Sequence, residues 1–118
     1  MVRWPVNLGS ALPIVAVGIA RLPRAVAGDG GQPLMIELTV EPPGGLISAV
    51  AATVSLPGYT ALLQGLLVGT HIDQAEAAVH RIALRLRGPL LRPTLAAVAN
   101  ALANMRSEAA AVAAGGGG

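Results

Sequence analysis

The chain has 118 residues, enough for one compact domain. Its net charge is only +2 and 12% of its residues are charged, which excludes a strongly acidic or basic surface. It has no cysteine, which excludes disulfide bonds, thiolate catalysis and cysteine-ligated zinc or iron–sulfur clusters.

Residues 1–13 are interpreted as an N-terminal extension that precedes the folded domain. They are largely apolar after a short basic start, and a cleaved signal peptide is the alternative interpretation. Pro5, Asn7 and Gly9 interrupt the apolar run, which favours the extension over the signal. The single domain is expected to span residues 14–112, and residues 113–118 are expected to form a disordered Gly-rich tail.

Three strands are predicted in the first half of the domain. The run from Ile14 to Ala20 is continuously apolar and rich in β-branched residues, which predicts a strand covered on both faces. Leu34 to Glu41 alternates between apolar and polar residues, which predicts a strand with one wet face. A Pro-Pro-Gly-Gly turn follows, so Leu46 to Val54 is expected to return antiparallel.

Three helices are predicted after Pro57. The uncharged stretch Leu46 to Gly69 is long enough to cross a bilayer, but Pro57 divides it into parts of different period, so no membrane span is expected. Asp73 and Glu76 are predicted to form the capping box of the second helix. The core stripe of that helix is predicted as Ala75, Val79, Ile82 and Leu86.

The third helix carries apolar residues at alternating spacings of four and three, which is typical of a helix buried against another helix. Its opposite side is rich in alanine, which favours the close approach of a second partner such as another subunit. Three strands followed by three helices predict an α+β fold, in which a small antiparallel three-stranded sheet carries the helices on one face. The apolar stripe of the third helix is Leu91, Leu95, Val98, Leu102, Met105, Ala109 and Val112.

Two motifs in this layout resemble a bacterial family of small uncharacterised proteins, known as a domain of unknown function. They are Gly18-Ile-Ala-Arg-Leu-Pro23 and Leu66-Leu-Val-Gly69, and the resemblance covers about residues 14 to 107. The chain departs from the family at Leu86-Arg87-Gly88, where an aromatic residue usually precedes the glycine. It also lacks the cysteine often found in the third strand. The resemblance implies the fold and a bacterial origin.

The layout is also similar, more distantly, to iron–sulfur scaffold proteins of the NifU type. The residues that carry this likeness are the turn Gly69-Thr-His-Ile-Asp-Gln-Ala75 and the order of strands before helices. Scaffold activity requires cysteine ligands, which this chain lacks, so the resemblance implies a NifU-like layout alone.

The segment from His71 to His80 holds residue types that bind metals. Asp73 and Glu76 are already explained by the helix start, and His80 falls on the side of the helix away from its predicted core. No metal site, cofactor or catalytic residue is therefore assigned. All eight basic residues are arginine and no aromatic residues interleave them, so no nucleic-acid partner is expected.

The absence of a catalytic motif and the excess of apolar residues favour a cytoplasmic bacterial protein that works through association. It is expected to be a homo-oligomer or a small accessory subunit of a larger enzyme. The candidate interface residues are Ala77, His80, Leu84, Asn100 and Asn104. The alternative is a small-molecule-binding protein or minor enzyme with a pocket between sheet and helices, formed by Arg21, Tyr59 and His71.

Overall fold

A computed structural model describes residues 12–27, 31–42 and 44–115, with the side chains of residue 27 and residues 107 to 115 left aside. The first eleven residues of the expected N-terminal extension and the last three of the expected tail lie outside the described residues. Residues 113 to 115, which were also assigned to the tail, belong to the last helix.

The described strands form one antiparallel sheet in the order β1-β2-β3. Gly18 of β1 pairs with Ile36 of β2, and a register shift falls between Thr39 and Val40 where β2 meets β3. A short helix after β1 was not predicted from the sequence. The elements of this half are β1 (Ile14–Ala20), α1 (Arg24–Ala27), β2 (Leu34–Glu41) and β3 (Leu46–Ala52).

The helices that follow pack against one face of the sheet, which confirms the predicted α+β class. The longest helix lies along β1 and β2, the first lies beside β3, and the middle helix packs between those two. A single turn of 3₁₀ helix, Ile72–Gln74, precedes the middle one. The three are α2 (Pro57–Leu67), α3 (Ala75–Arg85) and α4 (Leu91–Gly115).

The core lies between the sheet and the helices and consists mainly of aliphatic side chains, with Tyr59 as its aromatic member. Alternate residues of β2 point into it, which confirms the alternation predicted for this strand. Burial of this aliphatic surface supplies the main favourable term in folding. Its most deeply buried members are Leu34, Ile36, Leu38, Ile47, Leu63, Leu67, Ile82, Val98 and Leu102.

The predicted capping box of the second helix is not formed. α3 begins at Ala75, its N-cap is Gln74, and no side chain caps it. Asp73 instead lies in the 3₁₀ turn, because the amide of Ile72 is fixed by a 2.9 Å hydrogen bond to the carbonyl oxygen of Gly45. The α-helix thus begins one residue later than predicted, and Asp73 is not at the cap position.

The core stripe of α3 differs from its prediction at Val79, and the fourth predicted member, Leu86, is half-buried just after the helix ends. Ala75 and Ile82 are fully buried as predicted, but Ala78 is buried in place of Val79, which is only partly covered. The small side chain of Ala78 lets α3 fit between α2 and α4, where a larger residue would hold the helices apart.

The alanine side of α4 packs against β1 of the same chain. A Cβ atom at Gly18 would overlap the carbonyl oxygen of Ala97 and the amide nitrogen of Ala101, so the backbones of strand and helix are in direct contact. Ala97 and Ala101 are fully buried. The close approach that the alanines predict is therefore made within the chain by Ala97 and Ala101, whereas Ala96, Ala99 and Ala103 of the same helix remain exposed.

We expect Gly18→Ala to lower the free energy of unfolding by about 3 kcal/mol, because its methyl group would meet backbone atoms that have nowhere to move. Urea denaturation at neutral pH measures this change. Gly65→Ala is the matched control, since a Cβ there meets open space in the last turn of α2. That variant should be stabilised by about 0.5–1 kcal/mol. Equal stability of Gly18→Ala and wild type would contradict the tight contact.

Candidate functional site

The outer face of β1 is exposed, and the prediction that both faces of this strand are covered was wrong. Val15, Val17 and Ile19 are 51%, 43% and 54% exposed. All the packed helices lie on the other side of the sheet, where Ala16 and Gly18 meet α4. Three β-branched side chains in a row thus remain in contact with solvent.

The neighbouring strands extend this exposed surface into three rows across the sheet. Val17 pairs with Glu37, which pairs with Ala51, and the rows on either side follow the same register. A shallow depression of about 300 Å³ lies over the middle of the surface. We call the surface the open face, and it consists of Val15, Val17, Ile19, Met35, Glu37, Thr39, Ala49, Ala51 and Thr53.

The open face is mostly apolar, with one carboxylate at its centre. Met35 is 40% exposed and adds to the aliphatic row of β1. Glu37 lies between Val17 and Ala51, whereas Glu41 lies at the margin and accepts a 2.9 Å hydrogen bond from the Ser48 hydroxyl. An apolar sheet surface of this kind is typical of a protein interaction site.

The free edge of β1 is occupied by asparagine side chains from α4. The Asn100 Oδ1 atom accepts a 2.9 Å hydrogen bond from the Ile19 amide, and the Asn104 Nδ2 atom donates a 2.9 Å bond to the Val17 carbonyl oxygen. These two residues were predicted as interface residues. In the structure they satisfy backbone groups that an added strand would otherwise bind, and so they protect the edge of the sheet.

The opposite edge, on β3, is closed at one end by the connection between α2 and α3. The Ile47 amide donates to the Thr70 carbonyl oxygen at 2.9 Å, and the Gly69 amide donates to the Ile47 carbonyl oxygen at 2.8 Å. His71 lies 3.1 Å from the Gly44 carbonyl oxygen through Nδ1, beside the β2–β3 turn. The sheet therefore offers its open face to a partner more readily than its edges.

The three residues predicted to bind a ligand are not brought together. Arg21 lies in a depression beside the start of α4, and Tyr59 lines a separate groove between α2 and the α3–α4 loop. His71 contacts the β2–β3 turn. Because these positions share no cavity, the geometry gives no support to a single pocket formed by all three.

Tyr59 joins α2 to α4 inside the core. Its hydroxyl lies 2.7 Å from the Thr94 hydroxyl, and both side chains are buried. Burial raises the pKa of the Tyr59 phenol above its ordinary value of 10.0, and the hydrogen bond with Thr94 partly opposes that rise. The bond satisfies two buried hydroxyl groups at once, which is the structural role of this pair.

The other predicted interface residues lie on the outer side of α3. Ala77 and His80 are exposed, and Leu84 is 60% exposed. Glu76, in the first turn of this helix, is 3.3 Å from Arg106 of α4, and such an exposed pair contributes little to stability. Within the part of the chain that the structure describes, no three acidic, histidine or cysteine residues cluster in a way that would hold a metal.

No family model matches the chain, and no curated protein matches it either. Among the residues that the structure describes, no helix is long and apolar enough to cross a bilayer.

The sequence of β1 contains a signal for the open face, because its residues are apolar on both sides of the strand. A strand that is apolar on both sides needs two covering layers, and three predicted helices on one face supply only one of them.

We expect the stability of the protein to fall with pH above about 10 through Tyr59. The folded-state pKa of Tyr59 is raised, so the unfolded chain loses its phenolic proton first and unfolding becomes more favourable as pH rises. Below about pH 10 the folded and unfolded states both keep the phenolic proton, so Tyr59 makes its full contribution to stability. The chain contains no lysine, no cysteine and only one tyrosine, so no other side chain titrates there before arginine.

Urea denaturation of wild type and Tyr59→Phe at about pH 8 and about pH 11 tests this expectation. At about pH 8 the variant should be about 1 kcal/mol less stable than wild type, because Thr94 loses its partner. The difference should shrink at about pH 11, where wild type loses the contribution of Tyr59 and the variant has no phenolic proton to lose. An equal alkaline loss in both proteins would show that Tyr59 is not its source.

Proposed function

We propose that the protein works through association, with a second copy of the chain bound to the open face. The observation that carries this proposal is the row of exposed β-branched residues on β1, next to the exposed Met35. The low charge content supports it, since few charges are available elsewhere to keep such a surface in water. A bacterial origin and a cytoplasmic location belong to the same proposal and rest on the sequence.

The large apolar side chains of the open face supply part of the energy that a dimer needs. Val15, Val17, Ile19 and Met35 are about half exposed, and covering them in both copies removes this apolar surface from water. Association also costs translational and rotational freedom, so the alanines and polar contacts of the face must add to the gain. The dimer is therefore expected to be weak and to depend on protein concentration.

The shape of the open face favours a copy of the same chain as the partner. Its β1 side is bulky, with Val15, Val17 and Ile19, whereas its β3 side is flat, with Ala49 and Ala51. A two-fold axis parallel to the strands would place the bulky side of each copy over the flat side of the other. Two sheets packed in this way fill the interface from both sides.

We expect Val17→Glu to convert the dimer into a monomer. Each copy would then have to bury an additional carboxylate in the interface, which is unfavourable. Sedimentation velocity at about 100 µM wild-type protein should show the dimer. Leu84→Glu is the matched control, with the same change at an exposed aliphatic residue on α3.

Two results would contradict this interface, and a third would show that the variants are unfolded. A wild-type protein that stays monomeric at that concentration would remove self-association and leave a larger partner protein to be sought for the open face. Dissociation by Leu84→Glu but not by Val17→Glu would place the interface on the outer side of α3, together with Ala77 and His80. Dissociation by both variants would point to a general loss of structure, which circular dichroism detects.

Glu37→Gln should strengthen the dimer. Glu37 lies on the central strand, so the two-fold arrangement brings two carboxylates together near the axis, where like charges repel. Removing both charges is expected to tighten association by about 1 kcal/mol or more. Glu41→Gln, at the margin of the face beside Ser48, should have a smaller effect. A larger effect at Glu41 than at Glu37 would show that the interface is not centred on Glu37.

A further inference from the structure

A groove of about 500 Å³ lies between the start of α2 and the loop that joins α3 to α4. This volume is in the range of sites that bind small molecules. Its walls are mainly aliphatic, and the buried ring of Tyr59 forms part of them. We call it the α2–α4 groove, and it is lined by Leu56, Gly58, Tyr59, Leu62, Arg85, Leu86, Arg87, Pro89 and Leu90.

The two charged residues of the α2–α4 groove are both arginines. Arg21 and Arg92 line the depression beside the start of α4, so four arginines line these two cavities. None of the carboxylates that the structure describes lines either cavity. An apolar groove next to guanidinium groups that no described carboxylate neutralises is complementary to a molecule with an apolar body and a negative headgroup.

The Arg87 side chain is held in place before any ligand binds. Its Nη1 atom donates a 2.8 Å hydrogen bond to the Leu84 carbonyl oxygen and a 3.4 Å bond to that of Leu86, at the end of α3. A guanidinium group has five N–H donors, so several remain for an anion. Fixing the group in advance lowers the entropy lost on binding.

The apolar part of the groove has room for a chain of carbon atoms. Gly58 lines it, and a Cβ atom at that position would have no heavy atom within 4 Å. α2 also starts here with no side chain capping its first amides, which adds a partial positive charge. Tyr59 is held in the wall of the groove by the 2.7 Å hydrogen bond between its hydroxyl and that of Thr94.

We propose that the α2–α4 groove binds a small amphipathic anion, a single alkyl or acyl chain that ends in a carboxylate or phosphate. The headgroup pairs with Arg85 and Arg87, and the chain lies against Leu56, Leu62 and Leu90. This site is separate from the open face, because no residue belongs to both. Its occupation therefore does not depend on the proposed dimer.

Titration of the full chain with octanoate, followed by two-dimensional amide NMR, tests the site. Saturable shifts are expected at the groove residues, and octanol and acetate should each bind at least about tenfold more weakly, since each lacks one half of the ligand. Octyl phosphate is titrated in parallel, and the tighter of the two octyl anions identifies the headgroup. Equal affinity for octanol, or for acetate, would overturn the proposal, as would the absence of saturable binding of both octyl anions.

Two pairs of variants locate the binding. Gly58→Phe fills the groove and should abolish octanoate binding, whereas Gly65→Phe, on the same helix with equally open space, should retain it. Arg85→Gln with Arg87→Gln should weaken binding at least about tenfold, whereas Arg81→Gln, which lies outside the groove, should not. Amide spectra confirm that each variant is folded. Unchanged binding in Gly58→Phe, or in the double arginine variant, would overturn the proposal.

Discussion

The contact between Gly18 and α4 determines how the rest of the molecule is arranged. Because Gly18 has no side chain and Ala97 and Ala101 are small, α4 lies directly on the backbone of β1. At that distance Asn100 and Asn104 reach the free edge of the strand. One glycine and two alanines thus fix both the inner face of β1 and the protection of its edge, and a longer side chain at any of them would separate the two.

The same contact explains why an apolar surface remains uncovered. α4 lies along β1 and β2, α2 lies beside β3, and α3 fills the space between them, so every one of these helices packs on the inner face. No described element is left to cover the outer face of β1. The β-branched residues of that face stabilise a strand conformation, but their burial requires a second molecule.

Much of the fold follows from the sequence because its signals are local. The alternation in β2 and the change of period after Pro57 place the strand and α2 without any knowledge of their neighbours. The predictions fail where a hydrogen bond between residues far apart in the sequence determines the local structure. Asp73 has the sequence of a helix cap, but the bond from Ile72 to Gly45 sets where the turn begins. The sequence alone identifies Asn100 and Asn104 only as polar surface residues, because their hydrogen bonds to the backbone of β1 depend on how the strand and α4 pack.

The candidate surfaces were harder to predict than the fold, for a physical reason. A run of apolar residues indicates that a strand will be buried but not whether its own chain buries it, so β1 was assigned two covered faces. Arg85 and Arg87 belong to the end of one helix in the sequence, and only the turn at Pro89 brings them beside Tyr59. The open face and the α2–α4 groove both depend on distances between elements, and hydropathy patterns carry no information about those distances.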